Sequence, residues 1–196
     1  MAVQLGPFSW ERMIRAPLRV QERLIRATTA LRNADIPYAI VGGNAVAIWV
    51  ARVDPGAVRN TPDVNLLIHR ADLHLALKAF ESSELLLQGD SQECVFQDTR
   101  QGGKRDLLRL SIAVERNRPD ELLPNPDVTE SVDALDGLRV IEIDALVRMK
   151  LVGFRNKDQM HLLDLIDVGL VDNSWLERVP PALAPRLQQL LNDPNG

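Results

Sequence analysis

Two segments decide the fold: Tyr-Ala-Ile-Val-Gly-Gly-Asn at residues 38–44 and Arg-Asn-Thr-Pro-Asp-Val-Asn-Leu-Leu-Ile at residues 59–68. The apolar run 38–41 predicts a short buried strand, and an Ala-rich helix is predicted to follow the turn at Gly42 and Gly43. Glycine lets the backbone approach a ligand closely because it has no Cβ. The N–H groups of a first helical turn favour an anion, typically phosphate. The segment therefore predicts a phosphate site, with a purely structural turn as the alternative.

A second strand is predicted at residues 64–68, with Asp63 at its start and Asn65 two residues later. Side chains at positions i and i+2 of a strand share a face, so Asp63 and Asn65 are expected to point the same way. That geometry suits a single hard cation. The alternatives are that Asp63 is a turn residue after Pro62 and that Asn65 is a spectator in a polar pocket.

The composition indicates a globular cytoplasmic protein. The chain has 196 residues, 45% of them apolar, which is enough for a sizeable core in one domain. A net charge of −4 argues against non-specific coating of nucleic acid, and the single cysteine, Cys94, excludes a disulfide framework. We find no apolar run long enough to cross a membrane and no signal peptide in the sequence.

The N-terminal region predicts two helices. Ser9 is expected to cap a short helix through Ala16, Pro17 to end or restart it, and a longer helix to cover 18–34 with an apolar face. Five arginines follow the same rhythm on an adjacent face. They are Arg12, Arg15, Arg19, Arg23 and Arg26. The stripe indicates a solvated charged surface or, alternatively, a ridge that binds RNA, nucleotide or a partner.

The rest of the chain predicts strands and helices in mixed order. Strands are expected at 93–97, 104–114 and 138–143, with a hairpin turn at 101–103 and an irregular stretch at 115–137. Helices are expected at about 70–81, at 145–154 with Asp144 as its cap, at 159–168 and at about 183–191.

Strands mixed with helices predict an α/β (α+β) domain with a mixed sheet and a helical C-terminal part. The expected division is an N-terminal arm at 1–17, a core at 18–143 and a helical part at 144–196 packed on that core.

The order of these parts resembles the nucleotidyltransferase superfamily, the fold shared by kanamycin nucleotidyltransferase and DNA polymerase beta. Gly42-Gly43-Asn44 is similar to its glycine turn, and residues 59–65 are similar to its Arg-x-Thr-x-Asp-x-Asp stretch. Asp106, in Lys-Arg-Asp-Leu-Leu, is similar to its third carboxylate. The run 146–158 is similar to the Lys…Arg-x-Lys-Asp helix of the toxin-type members, including the abortive-infection toxins. The resemblance covers roughly residues 20–172.

The resemblance implies transfer of a nucleoside monophosphate from a nucleoside triphosphate to a hydroxyl of a protein, a tRNA or a small molecule, with Mg²⁺. It implies that Asp63 and Asp106 are catalytic and that Asp63, Asn65 and Asp106 bind metal. It implies nucleotide contacts by Gly42, Gly43, Asn44, Arg59, Thr61, Lys150, Arg155 and Lys157. A homo-oligomer or an antitoxin-like partner is also expected.

The chain departs from the family at Asn65, which stands where the second Asp is expected. Asn offers a neutral carbonyl oxygen and no negative charge, so one magnesium ion is expected more readily than two closely spaced ions. The alternative function is a non-catalytic nucleotide-binding or protein-interaction module of the same fold. His161 and Asp164 share a helix face and are able to touch a metal, but no third ligand at suitable spacing is visible.

Overall fold

The computed structural model describes residues 10–88, 94–100, 107–134 and 137–193, with side chains described from residue 15 onward. These ranges contain six α-helices and one seven-stranded sheet. The helices are α1 (Trp10–Asn33), α2 (Gly42–Ala51), α3 (Leu73–Glu81), α4 (Ile143–Gly153), α5 (Asn156–Asp167) and α6 (Ala184–Asn192). The strands are β1 (Ala39–Val41), β2 (Val64–Ile68), β3 (Leu85–Gln88), β4 (Val95–Asp98), β5 (Leu107–Ile112), β6 (Ser131–Asp133) and β7 (Arg139–Ile141).

The sheet has the order β3-β4-β5-β2-β1-β7-β6. The central strand β2 is antiparallel to β1 and parallel to β5, and β1 is parallel to β7. The prediction of a mixed sheet flanked by helices is therefore confirmed. The register pairs Asn65 with Val41 on one side and with Arg109 on the other. This brings the glycine turn, which follows Val41, beside the start of β2.

The core lies along the sheet. Val64, Leu66, Leu67 and Ile68 of β2 are completely buried, as expected for a central strand covered on both faces. Helix α1 packs on α3 and β2, whereas α2 packs on α4 and α5. In the described part of the chain, every helix is too short or too polar to cross a membrane.

Helix α1 differs from the prediction at Pro17, which lies inside one continuous helix. A proline inside a helix loses a hydrogen bond and costs about 3 kcal/mol. The downstream apolar face is buried, including Leu24, Ala27 and Leu31, and this packing offsets that cost. Residues 10–17 therefore belong to α1, while Ser9 lies outside the described residues.

The interpretation of the arginine stripe as a solvated surface is wrong for Arg23 and Arg26. Arg23 is completely buried, and Arg26 Nη2 lies 2.5 Å from Oδ2 of the buried Asp98. Arg23 also donates to Asp98 and to the backbone carbonyl of Pro62. These arginines tie α1 to the sheet, because both guanidinium groups contact the carboxylate of Asp98 in β4.

Two strands were not predicted from the sequence, β3 and β6. They form the two edges of the sheet, and β6 has only three residues within a stretch rich in turn formers, so neither carries a strong periodic signal. The predicted hairpin turn at 101–103 lies outside the described residues, although β4 and β5 do pair antiparallel.

The prediction that Asp144 caps α4 is wrong. The helix already begins at Ile143, and the Asp144 carboxylate accepts hydrogen bonds from Arg178.

The chain turns between α4 and α5 at Phe154, which has a left-handed φ of 44°. The second of the two helices predicted here, at 159–168, therefore begins earlier than expected, at Asn156.

Candidate functional site

A cleft of about 500 Å³ lies over the glycine turn. Its walls come from the turn itself, the start of β2, Arg109 and Ser111 of β5, the segment 117–125, and the region from α4 into α5. The β2–β1 and β2–β5 registers bring these sheet residues together, and the turn at Phe154 brings α5 back over them. The cleft therefore combines residues from distant parts of the chain.

Only glycine fits the two turn positions. Gly42 has a φ of 69°, and a Cβ there would lie 2.8 Å from Asn65 Nδ2. A Cβ on Gly43 would lie 2.8 Å from Thr61 Oγ1 and 2.9 Å from Thr61 Cβ. The residue before α2, Val41, provides no side-chain cap, so no such cap competes with a ligand for the N–H groups of the first turn.

Asp63 and Asn65 lie together in the cleft, beside this turn. The backbone carbonyl of Asp63 accepts a hydrogen bond of 2.8 Å from Asn44 Nδ2, which joins α2 to the start of β2. The Asp63 carboxylate lies 3.3 Å from Lys157 Nζ, and the Lys157 side chain is 52% exposed. Asp63 therefore has a cationic neighbour, while Asn65 contributes a neutral amide.

The lining contributed by α4 and α5 contains an ionic cluster in which Lys150 and Asp158 are buried, whereas the Arg155 side chain is 71% exposed. Asp158 Oδ1 lies 3.0 Å from Lys150 Nζ, and Oδ2 lies 2.9 Å from Arg155 Nε. Burial would raise the pKa of Asp158, but the adjacent Lys150 and Arg155 outweigh burial and lower it. Asp158 also accepts a hydrogen bond from the Arg155 backbone N–H at the start of α5. The cluster fixes the α4–α5 corner against the cleft.

The cleft brings together seven of the residues that the sequence singled out. They are Gly42, Gly43, Asp63, Asn65, Lys150, Arg155 and Lys157. Asn44, Arg59 and Thr61 do not line it: the Arg59 guanidinium binds the Asp164 carboxylate through bonds of 2.9 and 3.1 Å, and Thr61 is buried against Gly43. Asp106 lies outside the described residues.

Among the described lining residues, five polar ones escaped the sequence reasoning. They are Arg109, Ser111, Asn117, Glu121 and Asn125. The alternation of polar and apolar residues in β5 could have placed Arg109 and Ser111 on one face. The segment with Asn117, Glu121 and Asn125 carries no periodic signal. It is held by the side chain of Asn125, which donates to the carbonyl of Ile112.

In the described ranges, no three His, Cys, Asp or Glu residues are grouped so that they could hold a metal ion. The spacing of His161 and Asp164 made them candidate metal ligands, but the structure gives each of them a different environment. Asp164 binds Arg59, and His161 is buried against the cleft with its Nδ1 atom lacking a hydrogen-bond partner among the described residues.

The buried His161 is expected to make the folded protein less stable in mild acid. Burial, with the positive charges of Lys150 and Lys157, lowers its pKa to about 4, although Asp158 and Asp164 act in the opposite direction. The pKa in the unfolded chain is near 6.5, so the unfolded state binds more protons between the two values. As the pH falls through this window, the free energy of unfolding is expected to decrease by about 3 kcal/mol.

Urea unfolding of the wild type and of His161→Leu between pH 7 and 4 measures this effect. The variant is expected to lose that part of the pH dependence, whereas replacement of the exposed His74 by Gln should leave it unchanged. Parallel pH profiles for the wild type and His161→Leu would contradict the prediction.

No protein-family profile and no curated protein sequence matches the chain. Its fold is similar to two solved structures of ANT(2″)-Ia, an aminoglycoside nucleotidyltransferase described as an antibiotic-resistance factor. The solution structure aligns with a TM-score of 0.55 and 16% identity over 87% of this chain and 94% of that one. The crystal structure of the complex with adenylyl-2″-tobramycin aligns with the same TM-score and identity over 88% and 98%. The predicted nucleotidyltransferase fold is thereby confirmed.

Proposed function

We propose that this protein binds a nucleoside triphosphate in the cleft. The observation that carries the proposal is the convergence of the Gly42-Gly43 turn, Asp63 and the cations Arg155 and Lys157 on one concave space in a nucleotidyltransferase fold. The first turn of α2 suits a phosphate group, and the lysine and arginine charges suit the remaining negative charge of a triphosphate. The volume of about 500 Å³ is in the range of small-ligand pockets.

Nucleotidyl transfer is the second candidate function, and the position of Asp63 favours it. A carboxylate beside a bound triphosphate is suited to accept the proton of an attacking hydroxyl. The acceptor would be a small molecule, a protein or a tRNA. A small molecule is favoured by the neighbouring structure that holds adenylyl-2″-tobramycin. The remaining expectations stay predictions: that Asp106 is a further catalytic carboxylate, that the protein has a toxin-type role, and that it has an antitoxin-like or homo-oligomeric partner.

The described cleft residues do not fit a pair of magnesium ions. Magnesium prefers hard, anionic oxygen ligands, and beside the glycine turn the described residues offer one carboxylate, Asp63, with Lys157 already 3.3 Å away. Asn65 is neutral, and the residue paired with it on the neighbouring strand is Arg109. Nucleotide binding is therefore the function that these residues support best.

Calorimetric titration of the full chain with ATP, GTP, CTP and UTP tests the proposal. Gly43→Ala is expected to weaken binding at least about tenfold, because the new Cβ would displace Thr61 and shift the start of α2. Lys157→Ala, at an exposed site where folding is not at risk, is expected to weaken binding about tenfold through the loss of one charge-assisted contact.

Gly56→Ala, in an exposed turn, and Lys78→Ala, on the exposed surface of α3, are the matched controls and should bind as the wild type does. Absence of binding to all four nucleotides, or binding that survives both cleft substitutions, would disprove the proposed function. Release of pyrophosphate in the presence of a hydroxyl acceptor would then distinguish transfer from binding alone.

A further inference from the structure

Arg109 lines the cleft from strand β5. Strand β5 runs parallel to β2, and the register pairs Arg109 with Asn65. Paired residues of adjacent strands point to the same face of a sheet. Arg109 lines the same cleft as Asn65, Asp63 and the glycine turn, and its side chain is exposed. A guanidinium thus lies on the sheet surface immediately beside the Asp63–Asn65 pair.

The other charged groups of the cleft already have partners. Asp63 pairs with Lys157, and Asp158 pairs with both Lys150 and Arg155. Glu121, the third carboxylate of the lining, lies 3.4 Å from Arg118 outside the cleft and accepts a hydrogen bond from the Asn117 backbone. Among the described residues, Arg109 is therefore the lining cation without a carboxylate in ion-pair contact.

A guanidinium with no ion-pair partner among the described residues changes the ligand that the cleft is expected to prefer. A divalent cation held at Asp63 and Asn65 would be repelled by the neighbouring Arg109, and it would gain only one negative charge from the two residues. A phosphate group at the same place would gain an arginine donor with fixed fork geometry. The charge pattern therefore favours an anion over a metal ion beside Asn65.

We propose that the cleft binds the triphosphate of its nucleotide directly through Arg109 and Lys157, without a divalent cation as a bridge. This inference rests on the proposed nucleotide-binding function. The Lys157–Asp63 pair is part of the arrangement: the two groups are 3.3 Å apart, the Lys157 side chain is 52% exposed and that of Asp63 25%, and ion pairs that reach solvent are weak. Lys157 can turn from Asp63 to a phosphate oxygen when the ligand enters, so both cations are available to the triphosphate.

The proposal predicts an unusual dependence of binding on magnesium. Magnesium neutralises part of the charge of a nucleoside triphosphate, so a site made of protein cations is expected to prefer the metal-free nucleotide. Titration of the full chain with ATP, GTP, CTP and UTP, in EDTA and in excess MgCl₂, measures the preference. For whichever nucleotide binds, we expect the Kd in EDTA to be no higher than the Kd in MgCl₂.

Substitutions of Arg109 test whether this residue is responsible. In EDTA, Arg109→Gln is expected to raise the Kd by about 10- to 100-fold, the effect of losing a hydrogen bond between charged groups. Arg109→Lys keeps the positive charge but not the planar two-donor geometry of the guanidinium, so its Kd in EDTA should lie between those of the wild type and Arg109→Gln. Arg32→Gln, at an exposed position at the end of α1, is the matched control and should leave the Kd unchanged.

The results separate this inference from the function on which it rests. Binding that is tighter in MgCl₂ than in EDTA, or that does not respond to Arg109→Gln, would overturn the inference and leave nucleotide binding intact. Absence of binding under both conditions would overturn both. Binding in EDTA that is lost in Arg109→Gln and partly restored in Arg109→Lys would support both.

Discussion

Replacement of Asp98 by alanine is expected to lower the free energy of unfolding by about 3 to 5 kcal/mol, because it removes the buried carboxylate that Arg23 and Arg26 both contact. The Asp98 side chain is completely buried, as is that of Arg23, and the Arg26 side chain is only 15% exposed. Arg23 keeps its hydrogen bonds to the backbone carbonyls of Pro62 and Leu107, but these carry no negative charge. The variant would thus retain two guanidinium groups in the interior.

Urea unfolding followed by circular dichroism measures this loss. Asp133→Ala is the matched control, because Asp133 also pairs with an arginine, Arg139, but its side chain is 80% exposed. Exposed pairs contribute about 0 to 1 kcal/mol, so the control should lie close to the wild type. Equal stabilities for Asp98→Ala and Asp133→Ala would show that the α1–sheet contact does not depend on this charge.

Replacement of Asp158 by alanine is expected to cause a loss of similar size, about 3 to 5 kcal/mol, and to disturb the cleft as well. Burial lowers the pKa of Lys150, and Asp158 is the carboxylate that stabilises its charged form. Without Asp158, the Lys150 amine either stays charged without compensation or loses its proton. The variant also loses the side-chain acceptor for the Arg155 backbone N–H at the start of α5, which adds to the loss.

Thermal and urea unfolding of Asp158→Ala, together with nucleotide titration at a temperature where the variant is folded, check this prediction. Asp144→Ala is the matched control within the same part of the chain, because the Asp144–Arg178 pair is about half exposed. The control is expected to lose at most about 1 kcal/mol. A loss below 1 kcal/mol in Asp158→Ala would contradict the prediction and show that the buried Lys150 does not depend on this carboxylate.

Local sequence patterns were sufficient to predict the strands and the helix around the glycine turn. Strand β2 lies at residues 64–68 as predicted, and β1 and α2 meet at Gly42. These elements are short and strongly apolar, and glycine is the residue that fits their junction. The order of the parts was enough for the fold class, because the connections between successive elements restrict the arrangement of a sheet. Edge strands such as β3 and β6 lack such patterns and were missed.

The amino-acid pattern alone was sufficient to predict an α/β domain, a buried strand that ends at Gly42 and Gly43, and a shared face for Asp63 and Asn65. These properties follow from the spacing of neighbouring residues along a strand or a turn. Long-range packing is what buries Arg23, pairs Asp158 with Lys150 and brings Arg109 beside Asn65. Each depends on contacts between residues far apart in the chain. Packing determines which charged groups surround a side chain, whereas the order of residues along the chain determines which face of a helix or strand it lies on.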